Sequence, residues 1–295
     1  MCRLFGLSAS PSRVTAKFWL IEAPDSIAAQ SKRNPDGTGL GFFTADDEPI
    51  LDKQPLAADE DPAFTREAKQ VESSLFISHV RYATTGPKTV ENCHPFAMDG
   101  RIFAQNGMLG GLDCLEARLG DELSRVRGQT DSERYFALIS KEIRARSGDV
   151  KAGLLAAVHW IVDNLPVCSL NCLLATPDEL WALRYPETDR LYVLEREKGG
   201  RWGSRPLHVA SSVLGVHSQH LAEHPGVVVS SEPLDDSADW RLLESGELIH
   251  VDPQLEVSSE IVLEGTPKFP LMPNYPASGL PTQQPRTPET TMLQH

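Results

Sequence analysis

Positive charge is scarce in this sequence of 295 residues. Its 28 Lys and Arg face 41 Asp and Glu, which leaves a net charge of −13 at pH 7. A surface of that sign repels phosphate backbones and anionic lipid headgroups, so the composition argues against nucleic acid and membrane surfaces as partners. Basic runs that could reverse this balance locally are also missing.

Long apolar segments are missing as well. No run approaches the roughly 20 residues of a membrane span. The N-terminus lacks the basic region, apolar stretch and small-residue cleavage site of a secretory signal. Only five cysteines are present, an odd number without the spacing of a disulfide framework. These absences predict a reducing, cytoplasmic location.

Two of the cysteines, Cys168 and Cys172, lie four residues apart in an apolar stretch. No second pair of Cys or His lies near them in the sequence, as a metal centre would need. We therefore interpret them as buried thiols, and we expect neither a metal nor another cofactor.

Apolar periodicity predicts an α+β fold. Residues 132–146 and 150–164 carry apolar side chains at three- and four-residue spacing, which predicts two central helices. Residues 14–29 show a mixed helical pattern that Pro24 interrupts. Strands segregated before and after central helices are typical of α+β layers. The predicted strands are 3–10, 40–43, 75–80, 101–105, 169–175, 179–184, 190–195, 207–210, 227–230 and 247–251.

The composition changes near the C-terminus. Seven prolines punctuate a polar stretch from Gly265 onward, in which aromatic residues are few. We interpret residues 2–260 as one domain and residues 261–295 as a Pro-rich, irregular tail.

Cys2 stands directly behind the initiator methionine. Removal of Met1 would place a thiol and a free α-amine on the same carbon, and that amine titrates at about 7.7–8.0. Such an amine can take the thiol proton and so generate the nucleophilic thiolate. The alternative is a buried apolar residue at the start of a strand.

Arg81 and Thr84 lie in the segment from His79 to Gly86, just past a predicted strand. Arg81 could form a bidentate clamp on a carboxylate, or a surface ion pair with a Glu. Thr84, with Thr85 and Gly86, could form part of a turn.

Asn106 and Gly107 follow another predicted strand. They could supply two N–H donors to an oxyanion, or they could form a hairpin turn. Asp131 follows Thr130 in a Thr-x-x-Glu capping box that ends at Glu133. Its carboxylate could receive an ammonium group, or could compensate the helix dipole.

Two histidines lie near these residues. His79 precedes Arg81, and His94 lies in the segment Asn92-Cys93-His94-Pro95-Phe96. The terminal amine already supplies a base, so we expect His79 to orient the loop that carries Arg81 and neither histidine to be catalytic.

Taken together, these motifs resemble the glutaminase domain of the class II glutamine amidotransferases, which are N-terminal-nucleophile hydrolases. The resemblance covers about residues 2–255. It rests on five segments: residues 1–6, the Asn34-Pro35-Asp36-Gly37-Thr38-Gly39 turn, and residues 79–86, 105–107 and 130–133. Length and the Asn-Pro-Asp-Gly turn resemble the stand-alone members, among them the γ-glutamyl hydrolase of ergothioneine synthesis.

The resemblance implies a four-layer αββα fold and assigns roles. Cys2 would be the nucleophile, and Asn106 and Gly107 would form the oxyanion hole. Arg81 would hold the α-carboxylate of glutamine and Asp131 its α-ammonium. Thr84 would help to shape the pocket.

The expected reaction is hydrolysis of the γ-glutamyl amide of glutamine or of a γ-glutamyl compound, through a thioester on Cys2. The resemblance leaves the fate of the ammonia open between release and transfer to a partner synthase, and it leaves open a homo-oligomer. Two other readings remain. One is a catalytically idle scaffold or regulatory subunit that keeps the fold, and the other is a cysteine-first hydrolase of penicillin-like or bile-salt amides.

Overall fold

The computed structural model describes residues 2–83, 86–196, 207–210, 215–218 and 224–272. Its strands are β1 (Arg3–Ser8), β2 (Val14–Thr15), β3 (Thr38–Phe43), β4 (Pro49–Gln54), β5 (Glu72–Ser73), β6 (Leu75–Val80), β7 (Phe96–Met98), β8 (Arg101–Leu109), β9 (Val167–Ala175), β10 (Leu180–Arg184), β11 (Tyr192–Arg196), β12 (Leu207–Ala210), β13 (Gly215–Ser218), β14 (Gly226–Ser230), β15 (Arg241–Leu242), β16 (Glu247–Val251) and β17 (Val257–Ile261).

Five α-helices accompany the strands in the described part of the chain: α1 (Ile27–Ser31), α2 (Pro62–Gln70), α3 (Leu112–Leu119), α4 (Asp131–Ala145) and α5 (Val150–Asn164). A π-helical turn spans Phe18–Glu22, and 3-10 turns span Val90–Asn92 and Gly120–Arg125. No helix among the described residues is both long and apolar enough to cross a membrane.

Two large antiparallel sheets form the centre of the fold. The first has seven strands in the order β15-β11-β14-β1-β6-β3-β4, and the second has six in the order β17-β16-β10-β9-β8-β7. The short strands pair separately, β12 with β13 and β2 with β5.

Three apolar cores separate four layers. One core lies between the two sheets and contains Leu4 and Leu173. A second packs α3, α4 and α5 against the outer face of the six-stranded sheet. A third packs the π-helical turn, α1 and α2 against the outer face of the seven-stranded sheet. The layer order is therefore αββα.

Strand β1 shows how the sequence encodes a layer that is buried on both faces. Leu4 belongs to the core between the sheets, whereas its neighbours Phe5 and Leu7 belong to the core under the helices. Side chains alternate across a strand, so a strand between two cores needs apolar residues at successive positions.

The α+β class and the αββα layers predicted for this chain are confirmed, because the two helical layers enclose both sheets. The two central helices lie within one residue of their predicted bounds. Residues 14–29 form β2, the π-helical turn and the start of α1 in place of one helix. The division into residues 2–260 and 261–295 stays a prediction, and the chain from residue 273 onward lies outside the described residues.

Strand β8 extends further than the sequence predicted. It was expected to end at Gln105, but it continues through Asn106 and Gly107 to Leu109. Asn106 lies opposite Asn171 of β9 and Gly107 lies opposite Leu170. The Asn-Gly pair is therefore part of a strand, and the hairpin-turn alternative is wrong.

The crossing of α4 and α5 depends on Gly153. A Cβ atom there would lie 2.4 Å from Ile143 Cγ1 and 2.6 Å from the Ile143 backbone. Alanine is the better helix former by up to about 1 kcal/mol, but overpacking costs roughly 1–3 kcal/mol. We expect Gly153→Ala to lower the free energy of unfolding in urea by about 1–2 kcal/mol.

The matched control for this prediction is Ala156→Gly, at a half-buried position of the same helix. It should lower stability by about 1 kcal/mol, through helix propensity alone. A Gly153→Ala protein at least as stable as the wild type would contradict the packing argument.

Candidate active site

Strand pairing brings Cys2 beside the end of β6. Arg3 of β1 lies opposite Val80 of β6 in an antiparallel pair, so the residue before Arg3 meets those that follow Val80. The Tyr82 N–H donates to Cys2 Sγ at 3.2 Å, and the thiol lies 3.4 Å from the Tyr82 carbonyl oxygen, to which it can donate. The nucleophile candidate is thus held by backbone groups from a neighbouring strand end.

The environment of Cys2 favours the neutral thiol over the thiolate. Burial raises the pKa of Cys2, and the hydrogen bond from Tyr82 and the positive charge of Arg81 only partly oppose this effect. The Asp189 carboxylate raises the pKa of Cys2 further. Since the thiolate is the attacking species, a reaction at Cys2 requires a base close to its sulfur.

Arg81 is a buried residue whose guanidinium is fixed at several points. Its Nη1 donates to the Pro87 carbonyl at 3.1 Å and its Nη2 to the Gly86 carbonyl at 3.4 Å. Its backbone N–H donates to Gly37 at 2.7 Å, and its carbonyl accepts from the Asp36 N–H at 3.1 Å. A guanidinium held in this way presents a planar fork in a set direction.

Asp36, in the Asn-Pro-Asp-Gly turn, anchors residues on both sides of Thr84. Its Oδ2 accepts from the Ala83 N–H at 2.9 Å, and its carboxylate forms an ion pair with Lys88. Burial would raise the pKa of Asp36, but the hydrogen bonds from Lys88 and Ala83 outweigh it and lower the pKa below its usual value. Thr84 itself lies outside the described residues.

The backbone of β8 directs the Gly107 N–H away from β9. The N–H of Leu170, the residue opposite Gly107, donates to Tyr185 at 2.7 Å and so points away from β8. This makes Gly107–Leu170 a non-hydrogen-bonded pair, whose two N–H groups point outward. Among the described residues, β7 pairs with β8 only at residues 101–103, so no strand covers that side of Gly107.

Two further features suit Asn106 and Gly107 to donate hydrogen bonds to one oxygen atom. The Asn106 side chain is buried, and within the described chain its amide has no hydrogen-bond partner. A Cβ at position 107 would lie 1.9 Å from the Ser169 carbonyl oxygen, so a glycine is required there. The Ser169 hydroxyl donates to the Asn106 carbonyl at 3.1 Å and holds this part of β8.

Asp131 is fastened to the end of the same strand. It is the first residue of α4, it is buried, and its Oδ2 accepts from the Leu109 N–H at 2.7 Å. Burial raises the pKa of Asp131, while the N–H groups of Leu109 and Ser132 oppose the rise. The charge of Arg134 acts on this carboxylate, but among the described residues no cation forms an ion pair with it, and such a buried carboxylate is suited to receive a cation.

The predicted capping box at the start of α4 is right in one half and wrong in the other. Thr130 Oγ1 accepts from the Glu133 N–H at 3.2 Å, as expected. The Glu133 carboxylate, however, accepts from the N–H groups of Arg127 at 3.0 Å and Gly128 at 2.6 Å. It therefore stabilises the loop that leads into the helix.

His79 and His94 form a buried aromatic pair with ring centroids 4.1 Å apart. Burial, followed by the charge of Arg81, lowers the pKa of His79 to about 3. Burial and the neighbouring His79 lower the pKa of His94 well below its usual value. Both rings are therefore neutral at pH 7 and packed away from solvent.

Sequence reasoning missed three contributors. Tyr82 acts through its backbone N–H, which leaves no residue-type signal. Asp189 comes near Cys2 only in the fold, and no motif marks it. Asn92 stood in a segment already singled out for its histidine, yet its hydrogen bonds link the two halves of the site. The described residues contain no cluster of His, Cys, Asp or Glu that could hold a metal ion.

A family model described as class-II glutamine amidotransferases matches residues 1–261 of the chain. The Saccharomyces cerevisiae protein named "Probable glutamine amidotransferase DUG3" is 31% identical to it, over 84% of this chain and 78% of that protein. An amidophosphoribosyltransferase of Methanocaldococcus jannaschii is 30% identical, over 70% of this chain and 39% of that protein.

A solved structure gives the same fold. The glutamine aminotransferase class-II domain protein of Silicibacter pomeroyi superposes with a TM-score of 0.60 at 22% identity, covering 88% of this chain and 99% of that one.

The histidine pair makes stability depend on pH. The pKa of His79 is about 3 in the folded chain and about 6.5 when unfolded. The unfolded chain therefore takes up protons first as the pH falls. Stability is full above about pH 6.5 and declines below it, by at most about 1.4 kcal/mol per pH unit for each histidine.

Urea unfolding between pH 5 and 7.5 measures this decline. His79→Phe keeps an aromatic ring in the pair and removes one titrating group, so it should lower the slope between pH 5 and 6.5 by about half. A wild-type stability that is the same at pH 5 and pH 7 would refute the assignment of two neutral buried rings.

Proposed function

Because the chain belongs to the class-II glutamine amidotransferases, we propose that it hydrolyses the γ-amide of glutamine or of a γ-glutamyl compound through a thioester on Cys2. The observation that supports this most directly is the contact of Cys2 Sγ with the Tyr82 N–H, one residue from the Arg81 guanidinium. The proposed nucleophile, just before β1, then contacts the residue that follows the proposed carboxylate-binding group, just after β6.

The base in this proposal is the α-amine of Cys2 after removal of Met1. An N-terminal amine titrates at about 7.7–8.0, so a useful fraction is neutral near pH 7. Because burial raises the pKa of the Cys2 thiol, the thiol needs this base to form the thiolate. The two nearby histidines are unsuited to this role because their pKa values lie far below neutrality.

The reaction begins as Cys2 Sγ attacks the δ-carbonyl carbon and its proton passes to the α-amine. The Asn106 amide and the Gly107 N–H donate to the resulting oxyanion, and each such donor lowers the barrier by roughly 3–4 kcal/mol. The C–N bond then breaks, and the α-ammonium protonates the leaving ammonia or amine. Water attacks the thioester, the α-amine accepts its proton, and glutamate leaves with the thiol restored.

Recognition in this scheme reads the two charges of an amino acid. Arg81 binds the α-carboxylate, Asp131 binds the α-ammonium, and Thr84 helps to shape the pocket. Burial of both charged groups excludes water and strengthens their interaction with a zwitterion. Amides without that zwitterionic end should be poor substrates, which argues against penicillin-like and bile-salt amides.

The proposed function has two versions, which differ in the fate of the ammonia. In one it is transferred to a partner synthase, and in the other the chain is a hydrolase of one γ-glutamyl metabolite in the cytoplasm. Glutamine turnover that rises only in the presence of the synthase would identify the first version. The retained set of Cys2, Arg81, Asn106, Gly107 and Asp131 argues against an idle scaffold.

The direct test replaces the nucleophile. Cys2→Ala should abolish glutamate release from glutamine and γ-glutamyl amides and should prevent labelling by 6-diazo-5-oxo-norleucine, a glutamine mimic. Cys114→Ala, which changes an exposed cysteine, is the matched control and should retain both. Mass spectrometry should find the adduct on a chain without Met1. Undiminished hydrolysis by the Cys2→Ala protein would exclude the thioester.

A second prediction concerns the ammonium partner. Asp131→Asn keeps the shape but removes the charge, so KM for glutamine should rise on the order of 10- to 100-fold, with a smaller change in kcat. Asp113→Asn alters an exposed carboxylate in the first turn of α3 and serves as the control. Equal KM values for the two variants would remove Asp131 from the binding site.

A further inference from the structure

Asn92 is a buried side chain between the two parts of the site. It ends the 3-10 turn Val90–Asn92 and is 1% exposed. Its Nδ2 donates to the Pro87 carbonyl at 3.1 Å, and its Oδ1 accepts from the Gln129 N–H at 2.7 Å. One amide thus joins two loops that are far apart in sequence.

Each of these loops carries one of the groups proposed to read the amino acid. The Pro87 carbonyl that accepts from Asn92 also accepts from Arg81 Nη1 at 3.1 Å. Gln129 stands two residues before Asp131. One chain of contacts from the guanidinium to the carboxylate therefore passes through the two hydrogen bonds of the Asn92 amide.

Two further N–H groups of the second loop are held by Glu133 of α4. Glu133 accepts from Arg127 and Gly128, and Thr130 accepts from Glu133. These hydrogen bonds join residues 127–130 to the first turn of α4, where Asp131 lies. Asn92 connects that unit to the loop that holds Arg81.

We propose that Asn92 is a positioning residue that sets the separation between the Arg81 guanidinium and the Asp131 carboxylate. This inference rests on the proposed function, because it assumes that these two groups bind the ends of one substrate. The role needs a donor and an acceptor on one short planar group, which a neutral amide supplies and a carboxylate does not.

Two variants separate the two halves of this role. Asn92→Asp at pH 8 keeps the acceptor for the Gln129 N–H but loses the donor to the Pro87 carbonyl. Its negative charge also attracts the Arg81 guanidinium. Asn92→Ala loses both bonds. The first variant should therefore impair recognition of the α-carboxylate alone, and the second should impair recognition of both ends.

The measurement is kcat/KM for three amides: glutamine, glutaramate, which lacks the α-amino group, and 4-aminobutanamide, which lacks the α-carboxylate. We define the discrimination factor as the ratio of kcat/KM for glutamine to kcat/KM for the other amide. In Asn92→Asp, the factor against 4-aminobutanamide should fall about tenfold, the effect expected for one buried hydrogen bond. Its discrimination against glutaramate should persist. In Asn92→Ala, both discrimination factors should fall. Labelling by 6-diazo-5-oxo-norleucine measures the active fraction of each protein.

Gln30→Glu is the matched control. Gln30 is a buried amide of α1 whose Nε2 donates to the Asp25 carbonyl at 2.8 Å, so the same isosteric change is made away from the site. It should lower stability without changing either discrimination factor. If the Asn92 variants behave like this control, Asn92 is only a structural residue and the inference is wrong.

The outcome also separates this inference from the proposed function. A wild-type protein that cleaves neither glutamine nor other γ-glutamyl amides refutes the proposed function. The inference is then judged by calorimetry of glutamate with Cys2→Ala protein, in which adding Asn92→Asp should weaken binding about tenfold. Unchanged glutamate affinity, or no affinity in either protein, overturns the positioning role.

Discussion

The antiparallel pairing of β1 with β6 is the constraint on which the rest of the site depends. It sets Arg3 opposite Val80, and so it places the sulfur of Cys2 against the backbone of Tyr82. A shift of one residue in this register would turn every side chain of β1 to the other face. Since β1 is buried on both faces by different apolar residues, such a shift is strongly disfavoured. Core packing therefore fixes the position of the proposed nucleophile.

The second sheet contributes the other half of the site by the same logic. Strand β8 carries Asn106 and Gly107 near its end, and the N–H of its last residue, Leu109, donates to Asp131 at the start of α4. A helix start supplies backbone N–H groups and a favourable field for a carboxylate. These N–H groups partly offset the burial that raises the pKa of Asp131, and they fix the position of its carboxylate at the proposed ammonium site.

The helices that cover the sheets could be predicted from the sequence more accurately than the ends of the strands. Periodicity predicted α4 and α5 within one residue, because a helix that covers a sheet needs an apolar stripe at fixed spacing. It missed α2 and interrupted β8 too early, since Asn-Gly is a turn signal that tertiary pairing with β9 overrides. Local propensity carries no information about a partner strand that lies sixty residues away.

The site was predicted as far as side-chain chemistry carries a signal. The roles of Cys2, Arg81, Asn106, Gly107 and Asp131 stay predictions, and these residues could be proposed from residue type and motif. Tyr82 could not be, because it contributes a backbone N–H that any residue except proline would supply.

The arrangement also explains why the proposed chemistry relies on the terminal amine. A half-buried thiol with a raised pKa needs a base within reach, and the two nearby histidines have pKa values too low to serve. Arg81 and Tyr82 stabilise negative charge on the sulfur but cannot accept its proton, because one is a permanent cation and the other presents an N–H donor. An amine on the nucleophile's own Cα adds a base without another side chain in the core. The same buried site can therefore hold a guanidinium and a carboxylate for the substrate and still ionise its thiol.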